Sequence, residues 1–230
     1  MPKCVFNQLV CAFLLTMFSL PLLAASITVV DSDNKPVEGV VLGFSSATSI
    51  PAKASSDIAI MDQVASQFLP RILAVSKGQW VDFPNSDNIR HHVYSFSAAK
   101  PFEIKMFTGS EAEPIQFNKP GIVVLGCNIH DSMIGYIYVS DQETTKMSDS
   151  SGYIHLSASD LASAVYDKTN KNLVNASLWH PLLSSTNTKR IDVQVDTSLS
   201  EQIITLDMRQ SQLEVQQKSN GFSSKFKKAN

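Results

Sequence analysis

The chain has 230 residues, of which 43% are hydrophobic and 17% charged, and its formal net charge is −2. Such a balance of charge lacks the electropositive footprint of a nucleic-acid-binding protein. The length is enough for one sizeable domain or two small ones.

The first 25 residues are typical of a cleaved export signal. Lys3 gives a short basic start, an apolar run follows over residues 9–23, and Ala24 and Ala25 precede a cleavage point before Ser26. The alternative is an uncleaved anchor, but the run is shorter than the ~20 apolar residues that a spanning helix needs. We therefore expect a periplasmic protein with no stable membrane insertion after cleavage.

Cleavage of the export signal would also reduce the number of cysteines in the mature chain. Cys4 and Cys11 lie within the expected signal, which leaves Cys127 as the one sulfhydryl of the mature chain. A lone cysteine cannot form an internal disulfide, even in an oxidising compartment. Cys127 is therefore inert, intermolecular, catalytic or metal-bound.

The segment 26–140 is predicted to be β throughout. Short apolar runs separated by Pro, Gly, Asn and Ser turns are typical of an antiparallel sandwich. Residues 45–57 suggest a loop, and residues 58–66 are the one candidate for a helical turn or two. The predicted strands are residues 27–30, 37–44, 68–75, 79–83, 92–96, 102–107, 115–117, 121–125 and 134–139.

The composition changes after residue 139, where residues 140–152 form a polar linker. We predict a smaller β-rich domain over residues 141–213 and a polar, disordered tail over residues 214–230. Residues 160–166 are a candidate short helix opened by a Ser-Asp cap. The predicted strands of this part are residues 153–156, 175–179, 191–195 and 202–208.

The most informative residues are Cys127, His130 and Met133, which follow an apolar strand and precede another. Their spacing wraps a tight turn around one point. A thiolate, imidazoles and a weak thioether are the ligand set of a mononuclear blue copper site. The missing imidazole must come from another strand, and His91 or His92 opens one. Neighbouring side chains on a strand face opposite ways, so just one of the two can point at the metal.

Taken singly, these residues have a simpler interpretation. A lone cysteine before a turn is usually a buried small hydrophobe, and His130 and Met133 alone would be a surface imidazole and a core side chain. Their common register, the earlier His pair and the export signal together favour a copper site.

The sequence resembles the cupredoxins, and the spacing Cys-x2-His-x2-Met matches the short ligand loop of amicyanin. The resemblance implies a cupredoxin-like Greek-key β-sandwich with one type 1 copper ion bound by His91, Cys127, His130 and Met133. On that match His92 occupies a position where the family usually has Asn. Residues 58–140 also resemble exported, plastocyanin-like methylamine-utilisation proteins.

The resemblance implies an electron carrier that transforms no substrate and exchanges single electrons with a periplasmic dehydrogenase or cytochrome. One alternative is a copper delivery or sensing protein, which uses the same ligands without redox cycling. A second alternative is a thiol enzyme with Cys127 as nucleophile and His130 as base. This alternative leaves Met133 without a role, and the sequence offers no third group to orient the histidine.

Overall fold

The computed structural model describes residues 25–44, 55–109, 113–162, 164–183 and 190–209. Of the predicted export signal only Ala25 falls within these ranges. The predicted tail lies outside them, as do residues 45–54 of the predicted loop.

The described chain is almost entirely β, so the predicted all-β fold class is confirmed. The strands of its first half are β1 (Ala25–Asp31), β2 (Val41–Phe44), β3 (Ala59–Ile60), β4 (Asp62–Val64), β5 (Gln67–Leu69), β6 (Ile72–Ser76), β7 (Trp80–Asp82), β8 (His91–Ser95) and β9 (Phe102–Phe107). The elements that follow are β10 (Ile115–Gln116), β11 (Gly121–Cys127), β12 (Ile134–Ser140), β13 (Thr144–Met147), β14 (Tyr153–Leu156), α1 (Ala158–Ala162), β15 (Leu173–Trp179), β16 (Ile191–Asp196) and β17 (Glu201–Leu206).

The central part of the chain is built on a five-stranded sheet in the order β6-β12-β11-β8-β9. β11 pairs antiparallel with both β12 and β8, whereas β6 joins the edge of β12 in parallel. Alternate side chains of these strands bury into one apolar core, as expected for a sheet with one face on the core. The largest fully buried members of that core are Phe83, Phe117, Met61, Leu125, Met133 and Ile137.

A second apolar core is formed by both ends of the described chain. β1 lies between β14 and β17, and β2 lies between β13 and β15 in a separate four-stranded sheet. The N-terminal strands therefore pair with C-terminal strands and not with the central ones that the sequence analysis groups with them. Local alternation cannot reveal such pairing, because it joins residues 100 or more positions apart. The domain boundaries at residues 140 and 141 stay a prediction.

The two cores meet at an aromatic junction. Trp179 of β15 is fully buried against Tyr136 and Tyr138 of β12, with ring centroids 6.0 and 5.6 Å apart. The Arg190 guanidinium lies 5.4 Å from the centroid of the Tyr138 ring, within the range of a cation–π contact. Six of the seven residues of β12 are buried. The strand that follows the Cys127 loop is thus packed on both faces, which fixes its position.

Three local expectations need correction. Residues 58–66 contain strands β3 and β4 and no helix. The predicted linker contains β13, because Thr144–Met147 pairs with β2. The predicted helix begins earlier, at Ala158, because Ser157 is its cap: its hydroxyl accepts from the Asp160 N–H, and Asp160 accepts from the Ser157 N–H. In the described part of the chain, no helix is long and apolar enough to cross a membrane.

His180 is a buried side chain at the edge of the junction, 6% exposed. Its Nδ1 accepts a hydrogen bond from the Leu182 N–H, and the ring donates to the Glu38 carbonyl. Burial disfavours the charged imidazolium, and nearby Arg71 adds to this, so the pKa falls from 6.5 to about 4 despite the Glu38 carbonyl. The folded protein therefore holds His180 in its neutral form.

This shift predicts an acid-sensitive fold. The unfolded chain protonates His180 below pH 6.5 and the folded chain resists until about pH 4. The neutral His180 therefore costs no stability above pH 6.5. As the pH drops from 6.5 to 4, the free energy of unfolding falls by up to about 3 kcal/mol. Urea unfolding at several pH values measures the loss. We expect His180→Asn to flatten the dependence between pH 6.5 and 4, and the same change at exposed His155 to leave it intact.

Candidate metal centre

The end of β11 and the loop after it place Cys127 beside the neighbouring strand. Cys127 is the last residue of β11 and pairs with Val93 of β8. The Asn128 N–H donates to the His92 carbonyl at 3.1 Å, and the Met133 N–H donates to the His130 carbonyl at 2.9 Å. The loop from Cys127 to Met133 is thus tied to β8 at its start and closed by a turn at its end.

His91 opens β8 and faces the same core as Cys127. The strand alternates, with His91, Val93 and Ser95 buried and the two residues between them more exposed. His91 is fully buried, and its Nδ1 lies 3.6 Å from the Cys127 Sγ. An irregularity in the pairing with β9 falls between His91 and Val93, at the point where the imidazole enters the site.

His130 approaches from the loop. Its Nδ1 lies 3.9 Å from the Cys127 Sγ, and its ring centroid is 5.0 Å from that of His91. One donor atom from each of these three residues lies within 4.8 Å of the other two. His91 and Cys127 are buried, while His130 is partly exposed. The structure therefore brings together three of the four predicted ligands, with His130 on the solvent side.

Met133 is buried in the same apolar cluster as Cys127, at 1% exposure. It also lines the same surface groove as Cys127. The loop thus brings the fourth predicted residue to the cysteine side of the site.

His92 points away from this cluster. Its Nε2 lies 2.7 Å from the Glu103 Oε1 on the outer face of the sheet, and its ring is an edge neighbour of Tyr94. This is the consequence of strand alternation, because His91 takes the inward position. Between the two histidines, the structure places His91 beside Cys127.

Asp87 belongs to the site and is missed by the sequence analysis. Its Oδ2 lies 2.7 Å from the His91 Nε2, on the side of the ring opposite Cys127. Partial burial would raise the pKa of this carboxyl, but hydrogen bonds from the Ser66 N–H, His91 and the Ala65 N–H outweigh burial and lower it below 3.8. An ionised carboxylate can only accept, so this contact is a hydrogen bond to Asp87 when the His91 ring proton is on Nε2. The sequence around Asp87 contains no pattern that would single it out, because the residue lies in an irregular loop and at no motif spacing from the predicted ligands.

The donor set suits a small soft cation. One cysteine sulfur and two imidazole nitrogens converge, and the His91 Nδ1 that faces the sulfur offers a lone pair when the ring proton is on Nε2. The orientation of a ligand imidazole by a carboxylate is a common feature of metal sites. These residues therefore fit a bound metal ion.

A groove of about 400 Å³ runs along the surface beside the cluster. Tyr94 forms part of its wall and lies close over Gly126, where an added Cβ would sit 2.9 Å from the tyrosine ring. Phe96 continues the groove and is 88% exposed. Asp131 and Ile134 complete the edge near the loop. Cys127 itself lines this groove, so the groove is one side from which solvent approaches the cluster.

No protein-family model and no curated protein matches the sequence. Among solved structures, a copper-containing nitrite reductase from Thermus scotoductus SA-01 is 28% identical over 40% of this chain and 25% of its own, with a TM-score of 0.35. A purple cupredoxin from Nitrosopumilus maritimus is 20% identical over 36% of this chain and 99% of its own, with a TM-score of 0.32. A reduced amicyanin variant is 19% identical over 43% and 99%, with a TM-score of 0.33. This chain thus spans a quarter of the length of the nitrite reductase.

Proposed function

We propose that the protein carries single electrons through one mononuclear type 1 copper centre held by His91, Cys127, His130 and Met133. The observation that supports this most is the convergence of one thiol and two imidazole Nδ1 atoms within 4.8 Å, two of the three residues being buried. Two His and one Cys with a weak Met contact are a donor set that favours copper over zinc or iron.

Copper bound there would supply a one-electron redox couple. The chain would contribute rigidity, because Cys127 ends a strand paired on both sides and His91 is fully buried. A site that keeps its shape in both oxidation states exchanges electrons with little rearrangement. His130 is partly exposed, and Ile129 and Ile134, in the middle of the same loop and directly after it, are 46% and 37% exposed. Its ring edge would be the exit for electrons.

Reversible electron exchange is the experiment that separates a carrier from a copper delivery or sensing protein. We expect the copper-loaded protein to be reduced and reoxidised through repeated cycles at an electrode with no loss of bound metal. A delivery protein would instead pass its copper to a competing chelator during the reduced phase. Metal content before and after the cycles distinguishes the two.

A thiol enzyme could also use the contacts between Asp87, His91 and Cys127, with His91 in place of the predicted His130 as base and Asp87 as the group that orients it. Burial argues against this alternative, since His91 is 0% and Cys127 is 3% exposed. The groove that Cys127 lines leaves space beside the site, but a substrate would have to reach a sulfur that is almost wholly covered, whereas an ion needs only converging donors. Iodoacetamide tests this: slow alkylation that copper blocks supports the metal site, and fast alkylation insensitive to copper supports a reactive thiol.

Substitution of Met133 probes the weak fourth contact. We expect Met133→Leu to retain bound copper and to raise the reduction potential by up to about 60 mV, equivalent to a tenfold change in relative affinity for the two oxidation states. Leu keeps the buried volume, so stability should change by less than about 1.5 kcal/mol. Protein-film voltammetry gives the potential. Loss of copper altogether would mean that Met133 is a principal ligand.

We further propose a periplasmic location and a dehydrogenase or cytochrome as electron donor or acceptor. The amino-terminal sequence supports the location, and the exposed apolar residues around His130 suit brief contact with a redox protein. We also propose that the protein is related to the exported methylamine-utilisation proteins, which the sequence resemblance over residues 58–140 supports. The C-terminal strands would serve as a rigid support, because Trp179 packs against the strand that leaves the ligand loop.

A further inference from the structure

We infer that Asp87 is a positioning residue that sets the tautomer of His91 and tunes the reduction potential of the copper centre, an inference that rests on the proposed function. Asp87 is 13% exposed at its side chain, and its Oδ2 lies 2.7 Å from the His91 Nε2. The opposite ring nitrogen, Nδ1, faces the Cys127 sulfur at 3.6 Å. The carboxylate and the metal site thus hold the two nitrogens of one imidazole.

The acceptor role of Asp87 follows from three converging donors. The Ala65 N–H donates to Oδ1 at 2.6 Å, and the Ser66 N–H donates to Oδ2 at 2.8 Å, the same oxygen that contacts His91. Ala65 and Ser66 have φ values of 51° and 57° and form the turn between β4 and β5. This turn directs its N–H groups at the carboxylate, so the hairpin holds Asp87 in place.

The loop that carries Asp87 is fixed from its other side by Asn85, which is 4% exposed. The Asn85 Oδ1 accepts from the Asp87 N–H at 3.0 Å, and its Nδ2 donates to the Ile89 carbonyl at 2.9 Å. The carboxylate therefore has one orientation, and it meets His91 four residues later in the chain. A fixed anionic partner makes an imidazole a stronger donor, which stabilises Cu(II) relative to Cu(I).

An amide cannot replace this carboxylate. In Asp87→Asn, one acceptor oxygen and one NH₂ group would meet three donors, so either the hairpin or His91 would lose its partner. If His91 kept a hydrogen bond by accepting from the amide at Nε2, its proton would move to Nδ1, the atom that binds the metal. Asp62 provides the matched control, because it also accepts from a nearby loop, at the Ser86 hydroxyl and N–H, but does not contact His91.

The test compares the full-length wild type, Asp87→Asn and Asp62→Asn. In the metal-free protein, nitrogen NMR reports the His91 tautomer directly: Nε2–H in the wild type supports the inference, and Nδ1–H overturns it. In the copper-loaded protein, we expect Asp87→Asn to lose about tenfold in Cu(II) affinity relative to Cu(I), which raises the potential by about 59 mV. A shift no larger than that of Asp62→Asn overturns the tuning role.

The NMR and copper measurements give different results if the role of Asp87 is wrong and if the proposed function is wrong. If the wild type binds no copper, the electron-carrier proposal fails, and the tautomer still decides whether Asp87 positions His91. If Asp87→Asn does not fold, as judged by circular dichroism, the wild-type tautomer decides by itself. If copper binds and cycles but Asp87→Asn matches Asp62→Asn in potential and tautomer, the carrier stands and the role of Asp87 is wrong.

Discussion

Replacement of Cys127 with Ser is expected to abolish the intense visible absorption of the copper-loaded protein. That absorption arises from charge transfer between a thiolate and Cu(II), and Cys127 is the one cysteine among the residues that the structure describes. A hydroxyl is too hard and too weakly acidic to replace the thiolate. Copper affinity should fall by more than the about 10- to 100-fold typical for loss of an outer hydrogen-bond partner. Absorption spectroscopy and a chelator competition measure both effects.

The stability of this variant needs its own control, because Cys127 is 3% exposed and a buried hydroxyl without a partner costs about 1–3 kcal/mol. Cys127→Ala removes the thiol without adding a polar group. Both variants should fold, as shown by circular dichroism, and both should be colourless with copper. A folded Cys127→Ser protein that stays blue would remove the cysteine from the metal site.

The second large effect is a contrast between two adjacent histidines. We expect His91→Asn to lower copper affinity more than about 100-fold and His92→Asn to change it less than about threefold. The reason is their orientation: the His91 Nδ1 lies 3.6 Å from the Cys127 sulfur, and the His92 Nε2 lies 2.7 Å from Glu103 on the opposite face. Competition titration of the two variants side by side gives the ratio.

Each variant of this pair controls for the other, since the chemical change and the strand are the same. The hydrogen bond between His92 and Glu103 lies at the surface, so its loss should cost at most about 1 kcal/mol of stability. A strong loss of copper in His92→Asn with little change in His91→Asn would contradict the site as the structure arranges it.

Several parts of the fold could be predicted because their signals are local. The strands on either side of the ligand loop alternate or run apolar, and their predicted positions agree with β11 and β12 within two residues. The pairing of β1 with β17 could not be predicted, because it joins residues about 175 positions apart with no local signal. β13 lies within the predicted linker because its Thr and Lys residues are polar and show no apolar alternation, which agrees with their partial burial.

In the candidate site, too, some residues could be predicted from local sequence signals and others only from the three-dimensional structure. The spacing of Cys127, His130 and Met133 follows from one short loop and was readable in the sequence. Alternation alone allows either His91 or His92, and the resemblance predicts His91; the register of β8 places His91 on the inner face beside Cys127. Asp87 required more still: its partners Ala65 and Ser66 lie 22 and 21 residues earlier, on a hairpin whose turn is visible only in three dimensions.

The most direct test of the central claim is a copper titration of the purified full-length protein followed by visible absorption. A type 1 site predicts an intense blue absorption that grows with added Cu(II), saturates at one copper per chain and bleaches reversibly on reduction. Copper-saturated protein that remains colourless, or colour that persists in Cys127→Ser, would contradict a copper–thiolate electron carrier.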